Sequence, residues 1–431
     1  MTTADDRRSF LKLLGLGGVV FASGLPGVGA LARAAGPAWK DFFFLQLSDT
    51  HWGYSGPANP EAAHTLERTV QAINRSPRQP DFIVFTGDLT HTTDDPGVRR
   101  QRMKEFKALV APLKAKTVRF LPGEHDASLD AGEAFVEHFG PTRWAFDHQG
   151  VHFVALDNIL WIPPAERAGA TKVWKPALDA HQLAWLAEDL KAVPERQPVM
   201  LMMHVPLNDM TNRAEVYRLI EHRPFCLSIA GHTHWHEHRF LRREDGWMAP
   251  EPHHHIVNVT ACGSWWSGLP DELGIPTATM ACGAPNGYTV LTFHEGQVKV
   301  DFKAARRPAS YQMNIFAPET VVSAATGNTP VYVNLFNGAE NSVVELRFDN
   351  QGPWQKLEKV REQDPMLLAQ RAREGTNAVA PWRALPNPIL SPHLWKGWMP
   401  AHVAPGVHYL CVQGRDVNGT LHPAVRTITV E

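Results

Sequence analysis

Five stretches of the chain set a carboxylate or an imidazole directly behind an apolar run: Asp49-Thr50-His51, Gly87-Asp88, Gly123-Glu124-His125-Asp126, the isolated His204, and Gly231-His232-Thr233-His234. Oxygen ligands mixed with imidazoles suit Mn, Fe or Zn, and the glycines let the chain turn tightly enough to aim these side chains inward. Singly, each has a plainer explanation. A strand-terminal Asp often caps a turn, and a lone His is more often a satisfied core or surface residue. Together and in this order they argue for a metal centre, and the 22 His against 6 Tyr point the same way.

The elements that must position these residues are legible around them. FFFLQLSD, FIVFTGD, TVRFLPG, VHFVALD, PVMLMMH and FCLSIAGH read as buried strands from their dense apolar content. EAAHTLERTVQAI and DAHQLAWLAEDLKAV carry helical spacing, the second with Asp179 as N-cap and Leu183, Leu186 and Leu190 on one face. Strands alternating with helices predict an α/β layered core over residues 40–305, with the candidate ligands in loops past strand C-termini. Beyond about residue 306 the texture changes to VYVNLF, VVELRFDN, VHYLCVQGRD and RTITV, with a turn at Asp416-Val417-Asn418-Gly419 and one candidate helix in PMLLAQRAREG. That pattern predicts a second, all-β sandwich domain over 308–431. The short junction at Arg306-Arg307-Pro308 does not read as a flexible linker, so the sandwich is expected as a fixed wall.

A length of 431 residues fits two domains, and a formal charge of −2 argues against a surface that coats nucleic acid. At the start, Arg7-Arg8 leads through Ser9-Phe10-Leu11-Lys12 into a Gly-rich uncharged run that ends at Ala32-Arg33-Ala34. This resembles a twin-arginine export signal over residues 1–34, removed after Ala34; a plain membrane anchor is the alternative, though the interspersed glycines make a weak span. The expectation is a periplasmic or extracellular protein, exported already folded by the twin-arginine machinery and without a transmembrane anchor after cleavage. In that oxidising space Cys262 and Cys282 either pair or stay as buried thiols, beside Cys226 and Cys411.

The ordered blocks over residues 49–234 resemble those of the calcineurin-like metallophosphoesterase family: D-x-H, G-D, G-N-H-D/E, a lone His and G-H-x-H. GSWWSGLPDELGIPTATM, PNGYTVLTF, HLWKGWMP and GVHYLCVQGRDVNGTLHPAVRTITV are similar to the bacterial branch that carries a C-terminal β domain. The resemblance implies a metallophosphoesterase fold, a layered β-sandwich core flanked by helices, and two divalent or mixed-valence transition-metal ions. Asp49, His51 and His234 would hold one ion, His204 and His232 the other, and Asp88 would bridge them. It implies hydrolysis of a phosphate ester by a metal-bridging hydroxide. His125 would protonate the leaving oxygen, and Asp126 would orient that ring and hold it charged.

The pattern departs at Glu124, where the family has Asn. A carboxylate there takes the ligand charge from −2, given by Asp49 and Asp88, to −3, and the net charge with two divalent ions from +2 to +1. That should tighten metal binding, raise the pKa of the bridging water and weaken the attraction for a dianionic phosphate. Glu124 is therefore expected to be a ligand that favours a trivalent or harder ion and singly charged phosphodiesters; the alternative is a side chain swung away from the site. A phosphomonoesterase or pyrophosphohydrolase of the same fold stays open, because specificity lies in loops such as 52–60, 157–176 and 205–214. So does a catalytically degenerate, metal-stabilised protein that binds an envelope component. Among the remaining residues, His91 either faces substrate or, as the expected case, lies on a surface loop, and His236 and His238 are expected to leave the site with their strand. His253-His254-His255 is expected to be structural, since strand alternation lets no more than two of them converge. Trp265-Trp266 either walls the cleft or seals the core.

Overall fold

The computed structural model describes residues 39–54, 62–166, 173–272, 274–375 and 383–431. The expected leader at residues 1–34 lies outside them. Each apolar run forms the strand its composition predicts. Phe42–Leu47, Phe82–Thr86 and Val118–Leu121 run parallel at one side of a five-stranded sheet, and Gly287–His294 and Gln297–Ala304 continue it antiparallel. A six-stranded sheet has the order Glu237–Leu241, His253–Val257, Cys226–Ala230, Val199–Met202, Val151–Ala155, Trp144–His148, with its four central strands parallel.

The two sheets face each other. Phe42, Phe44, Phe82 and Phe293 pack with Phe153, Met200, Met202, Leu227 and Ile229 in one buried layer. Helices cover the outer faces because only one side of each is apolar. Leu66, Val70 and Ile73 of Ala62–Asn74, with Met103, Phe106 and Val110 of Pro96–Val110, pack on Leu45, Ile83 and Phe85. Leu186 and Leu190 of Ala180–Ala192, with Val216, Tyr217 and Ile220 of Arg213–Ile220, pack on Val154, Val199 and Leu201. Asp179 caps its helix as expected, its side chain accepting from Gln182 N at 2.7 Å. Burying one such Phe or Leu contributes about 1.5–3 kcal/mol, so the layers hold the strand ends rigidly.

A second pair of sheets follows. One has the order Met313–Phe316, Pro330–Leu335, Leu394–Trp398, Glu358–Val360; the other has Thr320–Val321, Leu421–Val430, Gly406–Arg415, Val343–Phe348, Gln355–Lys356. They enclose their own core of Val331, Val333, Leu335, Val344, Leu346, Trp395, Leu410 and Val412. This sandwich is hydrogen-bonded to the first five-stranded sheet. Asn337 and Asn418 donate to Val300 O at 2.7 and 2.8 Å, and Gln312 donates to Phe302 O at 3.0 Å. Phe336 and Tyr311 pack with Phe302, Met280 and Cys282 across the same seam. Among the described residues no helix is long and apolar enough to cross a membrane.

Candidate metal centre

The parallel strands of both layers end at one edge, and the loops that leave them bend sharply. Asp49, His51, Asp88, His232 and His234 all have left-handed backbone, with φ of 53°, 45°, 49°, 73° and 58°. Each such non-glycine residue costs on the order of 1–3 kcal/mol, so the surroundings must hold it. They do so with buried backbone bonds: Asp49 N to Gly87 O, His51 N to Asp88 O, and Cys262 N to Asp49 O, at 3.0–3.1 Å. Close approach explains two of the glycines. A Cβ on Gly231 would stand 1.9 Å from Ser48 Oγ and 2.5 Å from Asp49 Oδ2, and one on Gly123 would stand 2.1 Å from Asp88 Oδ1.

The bends bring the seven expected ligands together. Asp88, Glu124, His204 and His232 each offer a ligand atom within 4.8 Å of the others, and Asp49, His51 and Asp88 form a second such group. His234 Nε2 joins the second group, 3.1 Å from His51 Nε2 and 3.5 Å from Asp49 Oδ1. Asp88 thus belongs to both groups. Glu124 has not swung away: its carboxylate lies 2.8 Å from His204 Nε2 and 3.0 Å from His232 Nδ1.

The donor set fits a pair of cations. A carbonyl oxygen can only accept, so the bonds from His204 Nδ1 to Thr86 O (2.8 Å) and from His234 Nδ1 to Gly263 O (2.6 Å) place a proton on each Nδ1, and in the neutral ring that ligation requires Nε2 is then a bare lone pair. Those lone pairs face other acceptors. The buried His204 Nε2 makes no aligned hydrogen bond although Asp88 Oδ2 and Glu124 Oε2 lie within 3.3 Å of it. Lone pairs converging on carboxylates, with the far ring nitrogens tied to carbonyls, are the arrangement of metal-ligating histidines.

Charge in the site is balanced against burial. Burial favours a protonated Asp88, but the imidazoles of His204 and His125 outweigh it and hold its carboxyl well below the usual range. Burial and Asp88 both push Glu124 upward, yet His204 and His232, themselves raised against burial by Asp88 and Glu124, hold it down at about 2 as imidazolium ions, a positive charge that a cation would supply in place of their Nε2 and Nδ1 protons. Burial, helped by the negative charge of Asp88, raises Asp49; burial, helped by neighbouring imidazoles, lowers His51 and His234 and keeps those two rings neutral, as ligation requires.

The two expected catalytic residues fare differently. His125 lines the cavity in front of the ligands, its ring Nδ1 lying 2.6 Å from Thr92 Oγ1 and accepting from Thr92 N at 3.2 Å. Asp126 does not orient it. The Asp126 carboxylate accepts from Leu89 N (2.9 Å), Thr90 N (2.9 Å), Thr90 Oγ1 (3.1 Å) and Gly123 N (3.0 Å), all in the loops that carry Asp88 and Glu124. The cause is local: Glu124–Ala127 is a turn of helix, in which successive side chains diverge by about 100°. Glu124 and His125 therefore face the cavity while Asp126 turns back into the backbone.

Of the two alternatives for His91, the structure favours the one at the site over the surface loop. His91 lies on His125, rings 4.8 Å apart and 26° from parallel, with its Nδ1 3.4 Å from His51 Nδ1, and burial lowers its pKa to about 4. Both expectations for the Trp pair hold, one for each residue. Trp265 stacks on His51 and His234 with centroids 4.5 and 5.3 Å away, whereas Trp266 is buried with Nε1 donating to Thr50 O. His253 and His255 converge on Ser228 Oγ at 2.7 Å each, while His254 pairs with His238 away from the site, and His236 lies beside His238. All four cysteines are free. Cys262 Sγ stands 3.8 Å from His234 Nδ1, behind that ring rather than before it.

A cavity of about 550 Å³ opens over Asp88, Glu124, His125, His232 and His234. Its far wall, missed from the sequence, is the segment Arg383–Asn387, which follows the candidate helix of the second region.

Strand-end ligands on facing sheets, a shared central Asp and a neighbouring His describe a metal-dependent esterase fold, and the comparisons agree. Residues 44–236 match the calcineurin-like phosphoesterase family, and residues 255–421 match the C-terminal domain of calcineurin-like phosphoesterase. The chain carries a calcineurin-like phosphoesterase domain followed by the C-terminal domain that accompanies it. A probable cyclic nucleotide phosphodiesterase of Rhodococcus erythropolis is 30% identical over 216 residues, 45% of this chain and 65% of that protein. A cAMP/cGMP dual specificity phosphodiesterase of Mycobacterium tuberculosis is 25% identical over 220 residues, 47% of this chain and 65% of that protein. The serine/threonine-protein phosphatase CPPED1 of Danio rerio is 27% identical over 185 residues, 38% of this chain and 57% of that protein. The chain spans less than two thirds of the length of each.

Proposed function

We propose that this chain is an exported, dinuclear-metal phosphoesterase that favours phosphodiesters. The observation that carries the proposal is the convergence of Asp49, His51, Asp88, Glu124, His204, His232 and His234 beneath a cavity that His125 also lines. Two Mn, Fe or Zn ions, divalent or of mixed valence, would supply acidification of a water nucleophile and neutralisation of charge on the phosphoryl group. The rest falls to the chain. A backbone N–H can only donate, so the bond from Thr92 N makes His125 Nδ1 the acceptor and leaves the proton of the neutral ring on Nε2. With a second proton on Nδ1, held by Thr92 Oγ1 at 2.6 Å, the ring is an imidazolium whose Nε2 proton can pass to the departing ester oxygen and leave neutral imidazole. Glu124, lying between His204 and His232, adds a third carboxylate, so a singly charged diester meets less repulsion than a dianionic monoester.

The relatives' names support phosphoester hydrolysis and divide between diesterases and a phosphatase. The test is hydrolysis of bis(4-nitrophenyl) phosphate against 4-nitrophenyl phosphate by protein loaded in turn with Mn, Fe or Zn. The expected result is a diester preference of tenfold or more, which falls in Glu124→Asn. A Glu124→Asn protein with unchanged metal content and an unchanged preference sinks the charge argument, and no turnover of either ester sinks the enzyme reading. Export rests on the Arg7-Arg8 leader. A double Arg7→Lys, Arg8→Lys substitution should leave the protein in the cytoplasm, and normal export of that variant would overturn the route.

A further inference from the structure

Arg383 comes from the C-terminal part of the chain and is fixed in a corner of the cavity. Its guanidinium carbon lies 4.9 Å over the Tyr54 ring and 4.8 Å over the Trp265 ring, and those rings stand nearly perpendicular at 74°. One Nη1 donates to the Tyr54 hydroxyl. The segment itself is pinned: Gly268 N donates to Arg383 O at 2.7 Å, and Leu385 N donates to the Glu374 carboxylate at 3.1 Å. Among the described residues no carboxylate forms an ion pair with it. An arginine has five N–H donors, and aromatic faces balance its charge without accepting those hydrogens. What remains is a preorganised cation with donors open to the cavity.

Its position says which part of a substrate it meets. His51 and His234, their rings 5.0 Å apart, both stack on the Trp265 indole, and the guanidinium lies over that same indole. Arg383 therefore stands one ring removed from the imidazoles of the metal centre and lines the same cavity. We propose that Arg383 is a specificity-determining residue that binds a second anionic group, carboxylate or phosphate, carried on one of the groups esterified to the scissile phosphorus. This rests on the phosphoesterase reading and names its substrate class. A second anion also suits the charge distribution, because Glu124 makes the inner site less positive while Arg383 has no counter-ion among the described residues.

The test reads binding rather than turnover. Calorimetry on the metal-loaded full chain compares butyl phosphate with 4-phosphonooxybutanoate and with butane-1,4-diyl bisphosphate. A charge-assisted contact to an oxyanion should improve Kd about tenfold or more for at least one of the two ligands that carry a second anionic group. The gain should vanish in Arg383→Gln and survive in part in Arg383→Lys, which keeps the charge without the planar fork. Gain from only the carboxylate or only the phosphate ligand supports the proposal and names the group. Equal Kd for all three ligands, or a gain that persists in Arg383→Gln, overturns it. If aryl esters are cleaved and no gain is seen, the subsite alone falls. A gain without ester cleavage keeps the subsite and removes the enzyme reading.

Discussion

Replacing Asp126 separates a catalytic relay from a structural brace. Its Oδ1 accepts from Thr90 N and Thr90 Oγ1, and its Oδ2 accepts from Leu89 N and Gly123 N. In Asp126→Asn the amide NH2 best occupies the Oδ1 position, because the Thr90 hydroxyl can rotate and accept from it. Only Thr90 N–H then loses its acceptor, at about 1–3 kcal/mol for one buried donor. The other orientation would leave two N–H groups facing a donor. Asp126→Ala strands all three, at roughly three times that figure. The expected outcome is a fall in thermal midpoint of a few degrees for Asn and clearly more for Ala. Metal content should fall along with it, since the stranded amides flank Asp88 and Glu124. Activity per bound metal should change by less than tenfold, because no proton passes through this carboxylate. Thr92→Val, which takes the hydroxyl from His125 Nδ1 and leaves the backbone N–H, should instead lower kcat with stability little changed. An Asp126→Asn protein with normal stability and metal content but a kcat down 100-fold or more would refute the brace and restore the relay.

Two further outcomes follow from the packing. In Gly231→Ala the added Cβ meets Ser48 Oγ and Asp49 Oδ2 and must displace that carboxylate, so metal titration should show affinity down about 10–100-fold, and unchanged affinity would contradict the close approach. Burial lowers His238 to about 4 and His253 and His393 to about 3, so below pH 6.5 the unfolded chain takes protons that the folded chain refuses; stability is full above 6.5 and is lost as pH falls. Asp157, raised to about 6 by burial, acts in the opposite sense and cancels about one of the three, leaving a loss on the order of 3 kcal/mol per pH unit. Equal urea midpoints at pH 7.5 and 5.5 would refute this.

The seven candidate ligands were legible because each sits just past an apolar strand, where local sequence and position in the fold coincide. Glu124 was legible for the same reason, and its carboxylate does lie between His204 and His232. Adjacency misled at His125-Asp126, where a single helical turn sends neighbours in different directions. Thr92 and Arg383 were beyond a linear reading because they reach the site through the fold, and His91 could be read only as one of two alternatives. Thr92 and His91 arrive on the loop after Asp88, and Arg383 arrives from a region whose composition says only β-sandwich. The order of these failures carries physical content. Residues that hold the charged centre follow from strand ends common to the fold, whereas residues that tune it come from loops and from the second region. The departure at Glu124 removes positive charge at the centre, and Arg383 places it one ring further out. On the two proposals above, a site built that way would discriminate by where along a substrate the second negative charge falls, and its specificity would not be readable from the ligand motifs alone.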